Sequence, residues 1–198
     1  MKVAIIGSIG SGKSKVVERL KQLDRNVFDC DIIAKEIMQR EEVKERISIE
    51  FGVGLDKNGE LVKNELSDII FADEIKRKHL EEIVHTLVLE ELVKISADYE
   101  DIFVEVSAYK GSCVEGFFDV VIGVIADMET RIGRVIERSG YTREKILSII
   151  DAQPSDQQIR QMSNYVIENN SSIEVLNKRV EDILEKIYSG IDDPEIIF

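Results

Sequence analysis

Cysteine and proline are scarce in this sequence of 198 residues, which contains two of each. Two thiols, Cys30 and Cys113, do not make the disulfide framework of a small secreted protein, and no secretory signal peptide is predicted at the start. The scarcity of proline and a hydrophobic content of 43% argue against a disordered chain. We therefore expect an ordered cytoplasmic protein with one sizeable core.

Long apolar runs and an excess of positive charge are also missing. The longest apolar run, Val120–Ala126, is far too short to cross a bilayer. The chain has 39 acidic residues against 26 lysines and arginines, which gives a formal net charge of −13. Because long-range repulsion opposes binding to nucleic acid and to anionic membranes, we expect neither as a partner. A local group of positive residues can still hold a small anion.

Five short apolar runs predict β-strands, and helical patterns separate them. The runs are Val3–Ile6, Asn26–Asp29, Ile102–Val106, Val120–Ala126 and Tyr165–Ile167. Most of them are continuously apolar rather than alternating, as in strands that are covered on both faces. The pattern predicts an α/β fold with a doubly wound parallel sheet of five strands, the arrangement of P-loop nucleotide-binding proteins.

The helical segments between these strands differ in length. Residues 31–99 are strongly helical and charged, and we interpret them as an insertion between the second and third strands. A second helical stretch, residues 128–162, separates the last two strands. The predicted organisation is one domain over residues 1–198, whose core consists of residues 1–30, 100–127 and 163–198.

A glycine-rich loop follows the first predicted strand. Its sequence, GSIGSGKS at residues 7–14, fits the phosphate-binding P-loop pattern G-x-x-x-x-G-K-[ST]. Glycine adopts backbone conformations closed to other residues, and the helix that follows presents its positive end to an anion. The sequence therefore predicts that nucleotide phosphates bind to Ser8, Ile9, Gly10, Ser11, Gly12, Lys13, Ser14 and Lys15.

Several cationic and hydroxyl side chains have predicted chemical roles. We expect Lys13 to reach the β- and γ-phosphates and the Ser14 hydroxyl to bind Mg²⁺. Phosphoryl transfer also needs positive charge over the transferred group. Arg134 and Arg138 are candidates, four residues apart on one helix, with Arg143 just beyond. The alternative interpretation is an ordinary solvated helix face.

Two acidic residues end the second predicted strand. Asp29 and Asp31 lie at its carboxyl end, which in a parallel sheet is the edge that also carries the P-loop and binds ligands. A carboxylate there can deprotonate an attacking hydroxyl or hold Mg²⁺ through water. The alternative is that Asp31 caps the next helix and Asp29 is a turn residue.

These segments resemble the dephospho-CoA kinase family over most of the chain. The loop GSIGSGKS is similar to that family's GGIGSGKS, and NVFDCDIIAKEI is similar to its V-x-D-A-D-x-I-A segment. The stretch FGVGLDKNGELVKNEL, the helix LEEIVHTLV, and AQ followed by NYVIENN also resemble family segments in the same order. The resemblance implies ATP-dependent phosphorylation, with Mg²⁺, of the ribose 3′-hydroxyl of dephospho-CoA, the last step of coenzyme A synthesis.

The resemblance also implies roles for individual residues. Asp31 becomes the general base, with Lys13 and Arg138 as further catalytic residues, the latter within RVIERSG. Residues 128–162 become a helical lid over ATP, and Asn169 lies where the family's loop passes the adenine.

The resemblance also implies which residues bind the phosphoryl acceptor. By resemblance, the helical insertion holds the CoA moiety, and Lys63 and His85 bind the substrate. The alternative for His85 is a packing role on its helix. The sequence departs from the family at Lys15, where threonine is usual, and at Thr86, where proline is usual. VEVSAYKGS, residues 104–112, replaces an apolar family segment that faces the substrate.

Two other functions remain open from the residues. One is a different small P-loop kinase, acting on a nucleoside or nucleotide monophosphate. The other is a nucleotide-dependent regulatory switch, although the guanine-selective motif N-K-x-D is not matched by NKRV at Asn177.

Overall fold

The computed structural model describes residues 1–107, 109, 112 and 114–189. Cys113 and part of the segment 104–112 therefore lie outside the described residues, as does the end of the predicted core. Within the described residues, no helix is both long and apolar enough to span a lipid bilayer.

The centre of the described structure is a sheet of five parallel strands. In chain order they are β1 (Lys2–Ile6), β2 (Val27–Asp29), β3 (Ile102–Glu105), β4 (Val120–Ile125) and β5 (Tyr165–Glu168). Their order across the sheet is β2-β3-β1-β4-β5. The predicted fold class is confirmed, and each predicted strand agrees with the observed one to within a residue at either end.

Both faces of this sheet are buried, which explains the continuous apolar runs. Along β1, Val3 and Ile5 belong to one hydrophobic cluster, whereas Ala4 and Ile6 belong to another. Successive side chains of a strand point to opposite faces, so each face has its own core. The few charged residues in the strands, Lys2, Asp29, Glu105 and Glu168, stand at strand ends, and the other charges lie in the helices and loops.

Helices connect the strands and cover the sheet. In chain order they are α1 (Lys13–Gln22), α2 (Cys30–Ile37), α3 (Glu41–Phe51), α4 (Lys63–Ala72), α5 (Glu74–Asp98), α6 (Met128–Ser139), α7 (Arg143–Asp151), α8 (Asp156–Met162) and α9 (Ile173–Ser189). Helices α2–α5 lie between β2 and β3, and α6–α8 lie between β4 and β5. The two predicted helical segments are thus helical.

The strand order determines where a ligand can bind. The chain leaves β1 towards β2 on one side, while β4 and β5 lie on the other side of β1. The loop after β1 is therefore at the switch point of the sheet, where the crevice outside the carboxyl ends of the strands is open. The loops that follow the other strands converge on the same edge.

Candidate active site

A cavity of about 720 Å³ opens at the carboxyl edge of the sheet. Most of the residues that the sequence predicts for the site line it: Ser8, Ile9, Gly10, Gly12, Lys13, Ser14, Lys15, Asp31, Arg138 and Asn169. Ser11, also in the loop, is buried and does not line the cavity. The fold thus assembles residues from the loop after β1, the helices α1, α2 and α6, and the loop after β5 into one site.

The P-loop backbone requires glycine at two positions. Gly10 and Gly12 have φ angles of 76° and 100°, in the left-handed region that side chains other than glycine's disfavour. A Cβ atom on Gly12 would lie 2.0 Å from Nδ2 of Asn169. That same Nδ2 donates a 2.9 Å hydrogen bond to the carbonyl oxygen of Ser11. The loop after β5 therefore holds the P-loop from one side.

Lys13 is the first residue of α1, and its ammonium group is held in the cavity. The Nζ atom donates a 2.7 Å hydrogen bond to the carbonyl oxygen of Gly7. Burial lowers the pKa of Lys13, and the carboxylates of Glu105 and Asp31 act in the opposite direction. The Lys13 ammonium group thus lies in the cavity at the end of the P-loop, a position suited to binding a phosphate.

The two acidic residues after β2 have different roles in the structure. Oδ1 of Asp29 accepts hydrogen bonds from the backbone N–H groups of Asp31, at 2.7 Å, and Ile32, at 3.3 Å. Asp29 is therefore the residue that caps α2, and Asp31 is not. The Asp31 carboxylate lines the cavity, where its Oδ2 accepts a 3.0 Å hydrogen bond from the Ser107 hydroxyl.

Glu105 is a site residue that the sequence analysis missed. It is the last residue of β3 and lines the same cavity as Lys13 and Asp31. Burial raises the pKa of its carboxyl group, which Lys13 opposes and the neighbouring Asp29 and Asp31 reinforce. The rule that selected Asp31, an acidic residue at the carboxyl end of a parallel strand, applies equally to Glu105 and could have found it.

A smaller cavity of about 110 Å³ adjoins this one. Asp31 and Ser107 line both cavities, and His85 lines the smaller one together with apolar side chains such as Val84 and Val88. The structure thus brings His85 near Asp31. Lys63, at the start of α4, is exposed and lines neither of these cavities.

The three candidate arginines separate into two groups. Arg138 lines the large cavity, as does Arg134, whose guanidinium also donates to the carbonyl oxygen of Asn169 at 2.9 Å. Arg143 instead forms an exposed ion pair with Glu129 and does not line the cavity. Sequence spacing alone does not distinguish these three residues.

Fold and site together define a class. The parallel sheet carries a glycine-rich phosphate loop at its switch point, with a lysine and carboxylates over one cavity, which is the arrangement of a P-loop kinase. The fold resembles that of shikimate kinase from Acinetobacter baumannii in complex with shikimate, with a TM-score of 0.53. The two chains are 16% identical over 96% of this chain and 94% of that one.

Within that class, the chain belongs to the dephospho-CoA kinase family. The family model "CoaE: Dephospho-CoA kinase" matches residues 1–174. A dephospho-CoA kinase from Fusobacterium nucleatum is 37% identical over 94% of this chain and 98% of its own length. The crystal structure of TT1252 from Thermus thermophilus matches with a TM-score of 0.78 and 30% identity, over 96% of this chain and 97% of that one.

Proposed function

We propose that this protein transfers the γ-phosphoryl group of ATP to the ribose 3′-hydroxyl of dephospho-CoA, which forms coenzyme A and ADP. One observation carries the proposal: Lys13 of the P-loop and the Asp31 carboxylate line one cavity, and Asp31 also borders the adjoining smaller cavity. A phosphoryl donor on the P-loop and an acceptor hydroxyl beside Asp31 would meet there.

The donor side is provided by the loop and α6. The N–H groups of the P-loop other than those of Ile9 and Ser11, which are bonded within the protein, hold the phosphates together with the start of α1, and Lys13 contacts the β- and γ-phosphates. Arg138, which lines the cavity, adds positive charge to the transferred group. Charge spreads over the phosphoryl oxygens as the bond to ADP breaks, so fixed cations lower the barrier.

On the acceptor side, Asp31 is the general base. Its carboxylate takes the proton of the 3′-hydroxyl as the oxygen forms a bond to the γ-phosphorus, and the bond from that phosphorus to the ADP oxygen breaks. The helical insertion and His85 then contact the remainder of dephospho-CoA. Lys63 lies outside the two cavities, so in this proposal it contacts a part of dephospho-CoA that extends beyond them.

The donor set of the cavity fits Mg²⁺. Ser14, Asp31 and Glu105 supply hard oxygen atoms to the large cavity. Among the described residues, no cluster of three or more histidine, cysteine, aspartate or glutamate side chains is suited to a metal. Mg²⁺ usually keeps several water ligands and binds through one or two protein groups and the substrate phosphates. We infer that Ser14 holds Mg²⁺, which neutralises phosphate charge when bound.

Helices α6–α8 form the lid of the proposed site. They contribute Arg134 and Arg138 to the large cavity, while α2 and α5 contribute walls of the smaller one. The proposed organisation is therefore a P-loop core with a substrate-binding insertion and a lid, in an enzyme of the cytoplasm.

A coupled assay of ADP release tests the proposal directly. The purified protein is given ATP and Mg²⁺ with dephospho-CoA, and in parallel with a panel of nucleoside monophosphates and shikimate. We expect ADP formation that depends on dephospho-CoA, with coenzyme A identified by mass. A rate with dephospho-CoA no higher than with ATP alone would reject the proposed acceptor. Turnover of another panel member would reassign the enzyme within the P-loop kinases.

A further inference from the structure

The backbone of Ile9 in the P-loop is held at both its N–H and its C=O group by residues from the proposed lid. The Ile9 N–H group donates a 2.7 Å hydrogen bond to Oε1 of Gln153, in the turn between α7 and α8. The Ile9 carbonyl oxygen accepts a 3.0 Å hydrogen bond from Nε of Arg131, in α6. The preceding residue is held as well, because the Ser8 hydroxyl donates to the carbonyl oxygen of Pro154 at 2.7 Å.

The Ile9 side chain is held by the same helices. It packs against a small hydrophobic cluster formed by Ile132, Val135, Ile146 and Ile150 of α6 and α7. The loop and α6 also approach closely at the next residue, since a Cβ atom on Gly10 would lie 2.6 Å from the carbonyl oxygen of Arg131. Thus the N–H, the C=O and the side chain of Ile9 all depend on residues between 128 and 162.

These contacts are partly buried, so water is largely excluded from them. Arg131 is 4% exposed and Ser8 is 2% exposed. Hydrogen bonds are stronger where water is excluded, and a polar group left unpaired there is costly. Removal of either Gln153 or Arg131 would therefore free the first half of the loop to leave its phosphate-binding shape.

We propose that Gln153 and Arg131 are positioning residues for ATP, which act together through the two peptide groups that flank the Ile9 Cα atom to keep the P-loop in its phosphate-binding conformation. The inference rests on the proposed function in taking ATP as the bound nucleotide. Arg131 does not line the large cavity, so its effect is exerted through the loop. Gln153 does line the large cavity, but its amide oxygen is engaged by the Ile9 N–H group, and through this bond it holds the loop backbone.

The chemistry of Arg131 allows its role in the loop to be separated from a role in folding. Its Nη2 atom has no hydrogen-bond partner among the described residues, and its Nη1 reaches Asp156 at 3.3 Å. Burial lowers the pKa of this guanidinium. Removing one member of an ion pair is strongly destabilising when it leaves the other charge buried, but the Asp156 side chain is 40% exposed and stays hydrated. Arg131→Met is therefore expected to fold while losing the contact to Ile9.

The test uses two variants, Arg131→Met and Gln153→Met, and their combination. Matched controls are Arg77→Met on α5, where an exposed arginine pairs with Glu81, and Gln157→Met, at an exposed position of α8. The readouts are KM for ATP, KM for the acceptor, and the rise in melting temperature caused by ATP alone. The ATP-only measurement needs no acceptor, so it remains valid if dephospho-CoA is the wrong acceptor.

We expect each single variant to raise KM for ATP by about two- to tenfold, the effect of one hydrogen bond. ATP should stabilise both variants less than wild type, while KM for the acceptor stays within about twofold. Because the two side chains hold the two backbone groups of the same residue, Ile9, the double variant should lose less than the product of the single effects. Unchanged ATP stabilisation in Gln153→Met, equal increases in both KM values, or multiplicative losses would overturn the proposal. If Arg131→Met does not fold, Gln153→Met decides alone.

Discussion

The Nδ2 atom of Asn169 donates a 2.9 Å hydrogen bond to the carbonyl oxygen of Ser11, although 158 residues separate the two in sequence. This bond joins the loop after β5 to the P-loop after β1, across β4. It also occupies the space beside Gly12, where a Cβ atom would lie 2.0 Å from the same Nδ2. Glycine at position 12 is thus required by the contact with Asn169 as well as by the phosphate-binding shape of the loop.

Gly12→Ala should therefore damage the site. The new methyl group meets Asn169, and the φ angle of 100° is strained for alanine, so we expect a loss of about 1–3 kcal/mol in the free energy of unfolding. ATP should no longer raise the melting temperature. The matched control is Gly133→Ala in α6, where nothing lies within 4 Å and alanine should stabilise the helix by up to about 1 kcal/mol. Urea titrations measure the free energy of unfolding of each variant, and melting curves with and without ATP measure its stabilisation by ATP. If ATP stabilises Gly12→Ala as much as wild type, this prediction is wrong.

Asp31→Asn tests the proposed base. The amide cannot take the hydroxyl proton, so kcat should fall by about 10²- to 10⁴-fold, while ATP still raises the melting temperature as in wild type. Asp29→Asn is the neighbouring control, because asparagine is as good a helix cap as aspartate. We expect it to keep turnover within about threefold of wild type, a change of about 0.7 kcal/mol. Equal losses of kcat in the two variants would show that a disturbance of the local structure, rather than the loss of the Asp31 carboxylate, lowers turnover.

Replacing Arg138 and Arg143 in turn tests which arginine acts on the transferred phosphoryl group. Arg138 lines the cavity, whereas Arg143 pairs with Glu129 at the surface. Arg138→Met should lower kcat by about 10- to 1,000-fold through loss of charge over the phosphoryl group. Arg143→Met should lose only a surface ion pair, worth about 0.2–1 kcal/mol of stability, and keep its kcat. Steady-state kinetics with thermal unfolding measures both, and a larger kcat loss in Arg143→Met would reverse the assignment.

Tyr188 gives a prediction about stability at alkaline pH. Its hydroxyl donates a 2.7 Å hydrogen bond to Oδ2 of Asp101, and burial, followed by this bond, raises the pKa of Tyr188 to about 12. The stabilisation is fully present below the unfolded pKa of about 10 and is lost as pH rises through about 12. The free energy of unfolding of wild type should therefore fall towards that of Tyr188→Phe across this window. Urea unfolding of both proteins at pH 8 and about 11.5 tests this, and a constant difference would contradict it.

The sheet and the phosphate loop could be predicted because they depend on local patterns. A strand buried on both faces must be apolar throughout, as Val3–Ile6 is, and a P-loop needs glycine where φ is positive, as at Gly12. Asp31 could be placed because all strands of a parallel sheet end at the same edge. Glu105 was accessible by the same reasoning but was overlooked.

Other features of the site depend on which distant residues come into contact. Spacing along α6 makes Arg134 and Arg138 candidates, yet only packing shows that Arg134 reaches the carbonyl oxygen of Asn169. Likewise, either Asp29 or Asp31 can cap a helix, and the backbone geometry after β2 assigns the cap to Asp29.

The amino-acid sequence by itself determined the parallel sheet, the anion-binding loop and the acidic residue beside it, because periodicity and glycine placement act over a few neighbouring residues. Only the tertiary structure decided which cations face the cavity and that the backbone N–H and C=O groups of Ile9 are held by Gln153 and Arg131. Those contacts span more than 100 residues of chain, and hydrogen-bond geometry at such separations is fixed by packing and not by local preference.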